Sequence, residues 1–490
     1  MKIVLLLASA SMAFALDFPM SLAVAPDGRV LALNAGAKAS ISIVNGPELP
    51  LPDAFLGLTF APGGKTVYAG GGARGVVYEL TYAAGELKLA REIKAGDFAG
   101  DAAVSPDGRL LYAADLYANL IVVINPQSGR VIDRFKTGRR PYRILFHPDG
   151  RSYFVSSWAD AAVYQYSAVN GEEIGRIRLG PHPTDMLLSA YQPEPEEGQP
   201  APDSKYRLFV AASNTNSVYV VGIGENKTMN LVDTILVAPL SNSPVSPLGM
   251  TPSALALSAD QKHLYVACSD ADAVASVDVS EARGVLEGFR KTGAYPAALR
   301  VAGDQVWVAN AQGNTVEALG PAVNVPASTP APAAPAEHVI YIIRDTQPLA
   351  LMHAIAGTAP DYTVKMGRRP NFDPGDPANT PLAGYLWTNA VSAGITVENY
   401  GVLMRNGQSI DPGARTFSKP DAAAFFEDLK QFESAGAMPR LIVIEAAGDQ
   451  TVAAAKAAIA KSRFAKTEIV VDDLRRAEAL LGLRPMTRKD

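Results

Sequence analysis

The chain has 490 residues, 48% of them hydrophobic and 19% charged, with a formal net charge of −5. That composition excludes intrinsic disorder, which needs low hydrophobicity and high net charge, and leaves material for more than one core. Mild acidity without a basic run argues against a dedicated nucleic-acid binder, and 41 Gly with 36 Pro point to many turns and short strands.

At the N-terminus, Lys2 precedes the apolar run Ile3-Val4-Leu5-Leu6-Leu7, and Ala13-Phe14-Ala15 places small residues where a signal peptidase reads. Residues 1–15 therefore read as a signal peptide, with an exported, periplasmic or extracellular mature chain; a short buried strand is the alternative reading. No other stretch approaches the roughly 18 apolar residues a membrane helix needs, so no transmembrane span is expected. Cys268 is the only cysteine, which excludes an internal disulfide and a Cys/His zinc pattern. Its setting, Leu264-Tyr265-Val266-Ala267-Cys268, reads as a strand with a small buried residue at its end.

Internal repetition then dominates. Ala25-Pro26-Asp27-Gly28-Arg29 returns as Ala61-Pro62-Gly63-Gly64-Lys65, Ser105-Pro106-Asp107-Gly108-Arg109 and His147-Pro148-Asp149-Gly150-Arg151, with a worn copy at Ser258-Ala259-Asp260-Gln261-Lys262. The four proline copies are 36, 44 and 42 residues apart, the length of one four-stranded propeller blade. A short apolar strand precedes each copy and another follows it; Pro presets the turn and Gly tolerates positive φ. Seven units begin near Asp17, Asp53, Asp97, Arg139, Pro181, Gly249 and Ala294. The fifth is stretched by a Pro/Glu/Gln-rich insert, 191–205, and the last is short.

These repeats resemble the YVTN-type seven-bladed β-propellers of secreted bacterial proteins, most closely at Leu208-Phe209-Val210-Ala211-Ala212-Ser213-Asn214-Thr215-Asn216-Ser217-Val218 and Thr251-Pro252-Ser253-Ala254-Leu255. The resemblance implies a mainly β fold with a propeller over 16–320. Residues 321–337, with five Pro and six Ala, read as a semi-rigid linker. Beyond it, Val339-Ile340-Tyr341-Ile342-Ile343 and Leu441-Ile442-Val443-Ile444 read as buried parallel strands, with helices over 421–434 and 453–461 and a strand at Glu468-Ile469-Val470-Val471. Residues 338–490 are expected to form a small α/β sandwich.

Within that second domain, Gly384-Tyr385-Leu386-Trp387, Asn399-Tyr400-Gly401, Met438-Pro439-Arg440-Leu441 and Lys461-Ser462-Arg463-Phe464 leading to Asp472-Asp473 are similar to landmarks of the alkaline-phosphatase-like phosphoesterases. The resemblance implies a metal-binding acid, an Asn and a hydroxyl nucleophile after the first strand, where this chain has Asp345-Thr346-Gln347-Pro348. Proline carries no hydroxyl, so covalent phosphoryl transfer from Pro348 is excluded. Asp449-Gln450-Thr451 lacks the imidazole the family places there, and no histidine follows Asp472-Asp473. The domain therefore reads as a degenerate pseudo-phosphoesterase with vestigial positions Asp345, Asp449, Asp472 and Asp473. No cofactor is expected; a weakly held divalent cation and simple solvation are the two fates left to those acids.

In the propeller, the residue five positions before the turn proline, or its equivalent, is Ser21, Gly57, Asp101, Arg143, Asp185, Ala254 and Ala298 in successive units. Asp101, Arg143 and Asp185 thus reach one level of the channel, with Arg140 and His182 on adjoining loops. Two readings follow: a funnel gripping a small polar ligand or a protein side chain, or an internal charge ladder satisfying the wall. The expected function is an exported non-catalytic binding or scaffold protein whose partner is another envelope protein or a small polar ligand. A metal-dependent phosphoester hydrolase and a lactonase-like propeller enzyme are the competing readings.

Overall fold

The computed structural model describes residues 16–194, 204–238, 250–319, 336–370, 372–405, 408–410, 418–446 and 448–483. The expected signal peptide, the middle of the insert in unit five and all but the last two residues of the expected linker lie outside them. The described residues fall into two compact units, one within 16–319 and one within 336–483.

The first unit is a seven-bladed β-propeller, mainly antiparallel β. Its blades occupy 19–50, 58–94, 99–136, 141–178, 183–236, 252–291 and 296–318; six have four strands and the seventh has three among the described residues. The second strand of each blade lies between neighbours and reads as an almost unbroken buried run, as in Val30–Asn34 and Ser152–Ser157. Outer strands such as Arg130–Lys136 are mostly exposed. That gradient explains the low charge content, because most strands are covered on both faces.

The repeated turn has a local cause. Asp107 Oδ1 accepts the N–H of Arg109 at 3.0 Å, and Asp149 and Asp260 do the same two residues on at 2.8 and 3.1 Å. The glycine that follows Asp takes φ of +83°, +71° and +68° in blades 1, 3 and 4. These aspartates are turn builders, which removes them from the functional candidates.

Each pair of neighbouring blades encloses its own apolar cluster. Leu31, Leu33 and Ile41 of blade 1 pack with Val67, Tyr78 and Leu80 of blade 2, and comparable clusters follow around the ring. Closure comes from Leu22, Val30 and Ala32 of blade 1 against Ala298, Ala309 and Val316 of blade 7. Asn314 adds two bonds, its carbonyl accepting Leu16 N–H at 2.7 Å and its side chain accepting Phe18 N–H at 2.9 Å. Among the described residues, face packing and these two bonds join the last blade to the first, and Leu16 meets Asn314 as Thr137, just past the fourth strand of blade 3, meets Asn119.

The second unit is a five-stranded parallel sheet in the order Ser418–Lys419, Val397–Tyr400, Leu441–Glu445, Val339–Ile343, Glu468–Val471. Ile340, Ile342, Ile442 and Ile444 pack on Phe425, Leu429, Val452, Ala455 and Ile459 of two helices. Those helices run Ala422–Ala435 and Asp449–Lys461, the first capped by Asp421, whose carboxylate accepts the N–H groups of Ala423 and Ala424. Helices Pro348–Ala356, Asp361–Met366, Leu386–Ser392 and Leu474–Leu481 complete the unit; the last shows apolar residues at helical spacing, Leu474, Ala477 and Leu481, that the sequence reading passed over.

Candidate functional site

Two groups of charged side chains hold the residues singled out by sequence. In the propeller, the inner strands Ala99–Val104, Pro141–Phe146 and Pro183–Ser189 bring Asp101, Arg143 and Asp185 together. Arg143 Nη1 lies 3.2 Å from Asp101 Oδ1, and Arg143 Nε lies 3.1 Å from Asp185 Oδ1. Each aspartate also reaches into the next blade: Asp101 Oδ2 accepts Ile144 N–H at 2.7 Å and Asp185 Oδ2 accepts Leu255 N–H at 3.0 Å. The triad therefore staples blades 3, 4, 5 and 6.

Its net charge of −1 has a counterion that the sequence reading missed. Arg300, on the inner strand Pro296–Ala302 of blade 7, lines the same cavity as Arg143 and Asp185. Burial, then the neighbouring Arg143, pushes its guanidinium down, while Asp185 and Asp101 oppose that shift. Arg300 donates to the Leu299 carbonyl at 2.7 Å. The four groups together are neutral. Although burial disfavours the charge of Arg143, Asp101 and Asp185 hold it above the ordinary arginine value; burial pushes the Asp101 carboxyl up against the pull of Arg143.

The space beside this quartet, lined also by Ser21, Tyr142 and Ser253, is about 20 Å³, enough for roughly one water. Arg140 and His182 do not line it. They stand just before the strands Pro141–Phe146 and Pro183–Ser189, outside the extended backbone that carries Arg143 and Asp185 inward. Arg140 lies over the Tyr117 ring at 4.8 Å and donates to the Leu116 carbonyl at 3.3 Å. His182 is buried, and its carbonyl accepts the Ser213 N–H at 2.9 Å. Both take left-handed φ, +55° and +58°, immediately before a proline, as do Phe18, Thr251 and Tyr295 in three other blades. That recurrence marks a structural feature of the rim. The even offset of Arg300, two residues beyond Ala298, was the signal that could have revealed it.

In the second unit the acids lie at the carboxyl ends of the parallel strands, where open α/β sheets place ligands. Arg344 stands between two of them, Nε 2.7 Å from Asp472 Oδ2 and Nη1 3.0 Å from Asp449 Oδ1, and its N–H also donates to Asp472 Oδ1 at 2.8 Å. Asp345 accepts Gln347 N–H at 2.9 Å, and Asp473 caps the helix Leu474–Leu481 through Arg476 N–H at 3.0 Å. Pro348 occupies the first turn of Pro348–Ala356, where a missing N–H costs nothing. The phosphoesterase resemblance implies metal ions here, and the donor set does not fit them: a guanidinium fills the space between two candidate ligands, and the other two bond to backbone. Among the described residues no group of three or more His, Cys, Asp or Glu could hold a metal ion. Glu445, ending Leu441–Glu445, was overlooked in the sequence; burial alone pushes its carboxyl up.

No helix among the described residues is long and apolar enough to cross a membrane. No family model matches the chain, and no curated protein matches it. Among solved structures, U3-55K covers 64% of this chain and 98% of its own at 10% identity, with a TM-score of 0.51. The β-propeller domain of Myceliophteria thermophila Cps50 (Swd1) covers 63% and 98% at 11% identity, with a TM-score of 0.50. Kuenenia stuttgartiensis hydrazine synthase covers 64% and 97% at 17% identity, with a TM-score of 0.49. At such identities the likeness to the first two establishes the fold alone, that of a β-propeller. The chain is a seven-bladed β-propeller followed by a small parallel α/β sheet.

Proposed function

We propose that this chain is an exported, non-catalytic binding or scaffold protein, with the propeller as its recognition module and the second unit as a pseudo-phosphoesterase docking domain. The observation that carries this reading is the engagement of Arg344 with Asp449 and Asp472. Two-metal hydrolysis needs carboxylates and imidazoles converging on ions about 4 Å apart, and here an internal cation takes two of the candidate carboxylates. The pairing of Arg143 with Asp101 and Asp185 supports the same reading, since those side chains are already engaged with one another. Export rests on Lys2, the apolar run that follows it and Ala13-Phe14-Ala15. An envelope protein or a small polar ligand is the partner class this location favours.

The test is a phosphomonoester, phosphodiester and lactone turnover assay with Mg²⁺, Ca²⁺, Zn²⁺ or Mn²⁺ added. No turnover above buffer is expected. Phosphoester turnover abolished in Asp345→Ala or Asp472→Ala would overturn the reading in favour of hydrolysis.

A further inference from the structure

The space beside Arg143, Asp185 and Arg300 has room for about one water, whereas a cleft of about 450 Å³ opens on the flank of the propeller, between the outer strand of blade 3 and the third and fourth strands of blade 4. That volume lies within the range of small-molecule sites. Its walls carry Lys136 and Arg139 from one side and Asp160, Tyr164, Glu173 and Arg176 from the other.

The charges have a definite arrangement. Arg139 is held by Asp160, Nε to Oδ1 at 2.7 Å, and its Nη2 donates to the Ala159 carbonyl at 3.0 Å. Burial raises the Asp160 carboxyl, but the N–H and guanidinium of Arg139 outweigh it and hold that group below the usual carboxylate value. Arg176 lies 3.1 Å from Glu173 and over the Tyr164 ring at 5.8 Å. Lys136 is exposed and has no ion-pair partner among the described residues. The cleft therefore offers one uncommitted ammonium and two arginines fixed in place with donors to spare, for a net charge of +1.

The wider sequence strengthens the polarity. Residues 126–180 hold nine Lys and Arg against five Asp and Glu, in a chain whose overall charge is −5. With Arg143 set aside, because the channel aspartates pair with it, this segment of an otherwise acidic protein still carries eight cations against five anions, as suits recruitment of an anion. Arginine forks match planar and tetrahedral oxyanions in bidentate fashion, and side chains already immobilised by a carboxylate or a ring lose little freedom on binding.

We propose that the cleft between blades 3 and 4 binds a small organic polyanion through its phosphate or carboxylate groups. Lys136 supplies the unpaired charge, and Arg139 and Arg176 supply the directional donors. This site rests on the reading of the propeller as a binding module and assigns it a place and a ligand class.

The experiment is calorimetric titration of the whole chain with pyrophosphate in one arm and citrate in another, so that phosphate and carboxylate recognition are told apart. Saturable binding of at least one is expected, weakened about tenfold by Lys136→Glu and by Arg176→Glu and reduced by added salt. The control is Lys291→Glu. Lys291 ends the outer strand of blade 6 at the position Lys136 occupies in blade 3, each paired with the first residue of the third strand. That variant should bind within about twofold of the parent. Failure of both anions to bind below about 10 mM, or equal weakening by Lys291→Glu and Lys136→Glu, overturns the site. Bound pyrophosphate should be recovered intact; its hydrolysis would overturn the non-catalytic reading while leaving the cleft in place.

Discussion

Each unit of this chain places an arginine between two aspartates, at similar distances, in very different surroundings. In the channel the side chains of Arg143, Asp101 and Asp185 are 17%, 2% and 10% exposed. At the sheet ends those of Arg344, Asp449 and Asp472 are 47%, 86% and 30% exposed. The buried triad also takes two backbone N–H groups from neighbouring blades and a fourth charge, Arg300, that brings the set to neutrality. The exposed one takes a single backbone N–H, that of Arg344 itself, and is otherwise open to solvent. Similar geometry therefore does two jobs: inside the ring it locks blade to blade, and on the sheet it occupies carboxylates that could otherwise take a cation.

The largest expected difference comes from removing each arginine. Arg143→Ala strands two buried carboxylates and should destabilise the propeller by about 3–5 kcal/mol, read as a shift in the urea midpoint. A loss below about 1 kcal/mol would show that the channel is wet enough to solvate the acids.

Arg300→Leu sharpens the neutrality argument. If the quartet's charge balance matters, deleting this cation costs about 1–3 kcal/mol even though its recorded hydrogen bond is to its own strand. A stabilised variant would mean that desolvation of Arg300 outweighs its attraction to Asp101 and Asp185.

Alkali provides a third probe confined to the ring. Burial pushes the Cys268 thiol from 9.0 up to about 12. A group whose folded value is raised contributes stability that is full below its unfolded value and is lost as pH climbs toward the folded one. Between pH 8 and 10 the propeller should lose about 1.4 kcal/mol from this group alone. Cys268→Ala should flatten that part of the stability profile, and an unchanged slope would contradict the assignment.

The smallest effect is expected at Arg344→Ala. Its guanidinium is solvated, so the melting temperature of the second unit should stay within the scatter of repeat scans. A large drop would make the exposed triad a structural lock like the buried one.

Much of the propeller was legible because its signal is local. The Pro-Asp-Gly turn needs only an Asp side chain bonded two residues on and a glycine at positive φ, so four neighbouring residues announce blades 1, 3 and 4, and altered copies mark blades 2 and 6. The closure of the ring was not legible, since it depends on Ala298, Ala309 and Val316 meeting Leu22, Val30 and Ala32 from the far end of the chain. Asp101, Arg143 and Asp185 could be aligned through the repeats, but Arg300 sits two residues off that register and was passed over. At the sheet the sequence offered acids without partners. That Arg344 reaches Asp472 is a contact across 128 residues, which no spacing rule encodes.

Arg344 fills the space between Asp449 and Asp472, where a phosphoesterase would need a cation. Titration of the full chain with Mn²⁺, followed by the loss of the free-ion resonance signal, measures this. Arg344 in that position predicts no saturable binding tighter than about 1 mM, in the parent or in Asp472→Asn. One equivalent bound in the micromolar range and lost in Asp472→Asn would contradict it.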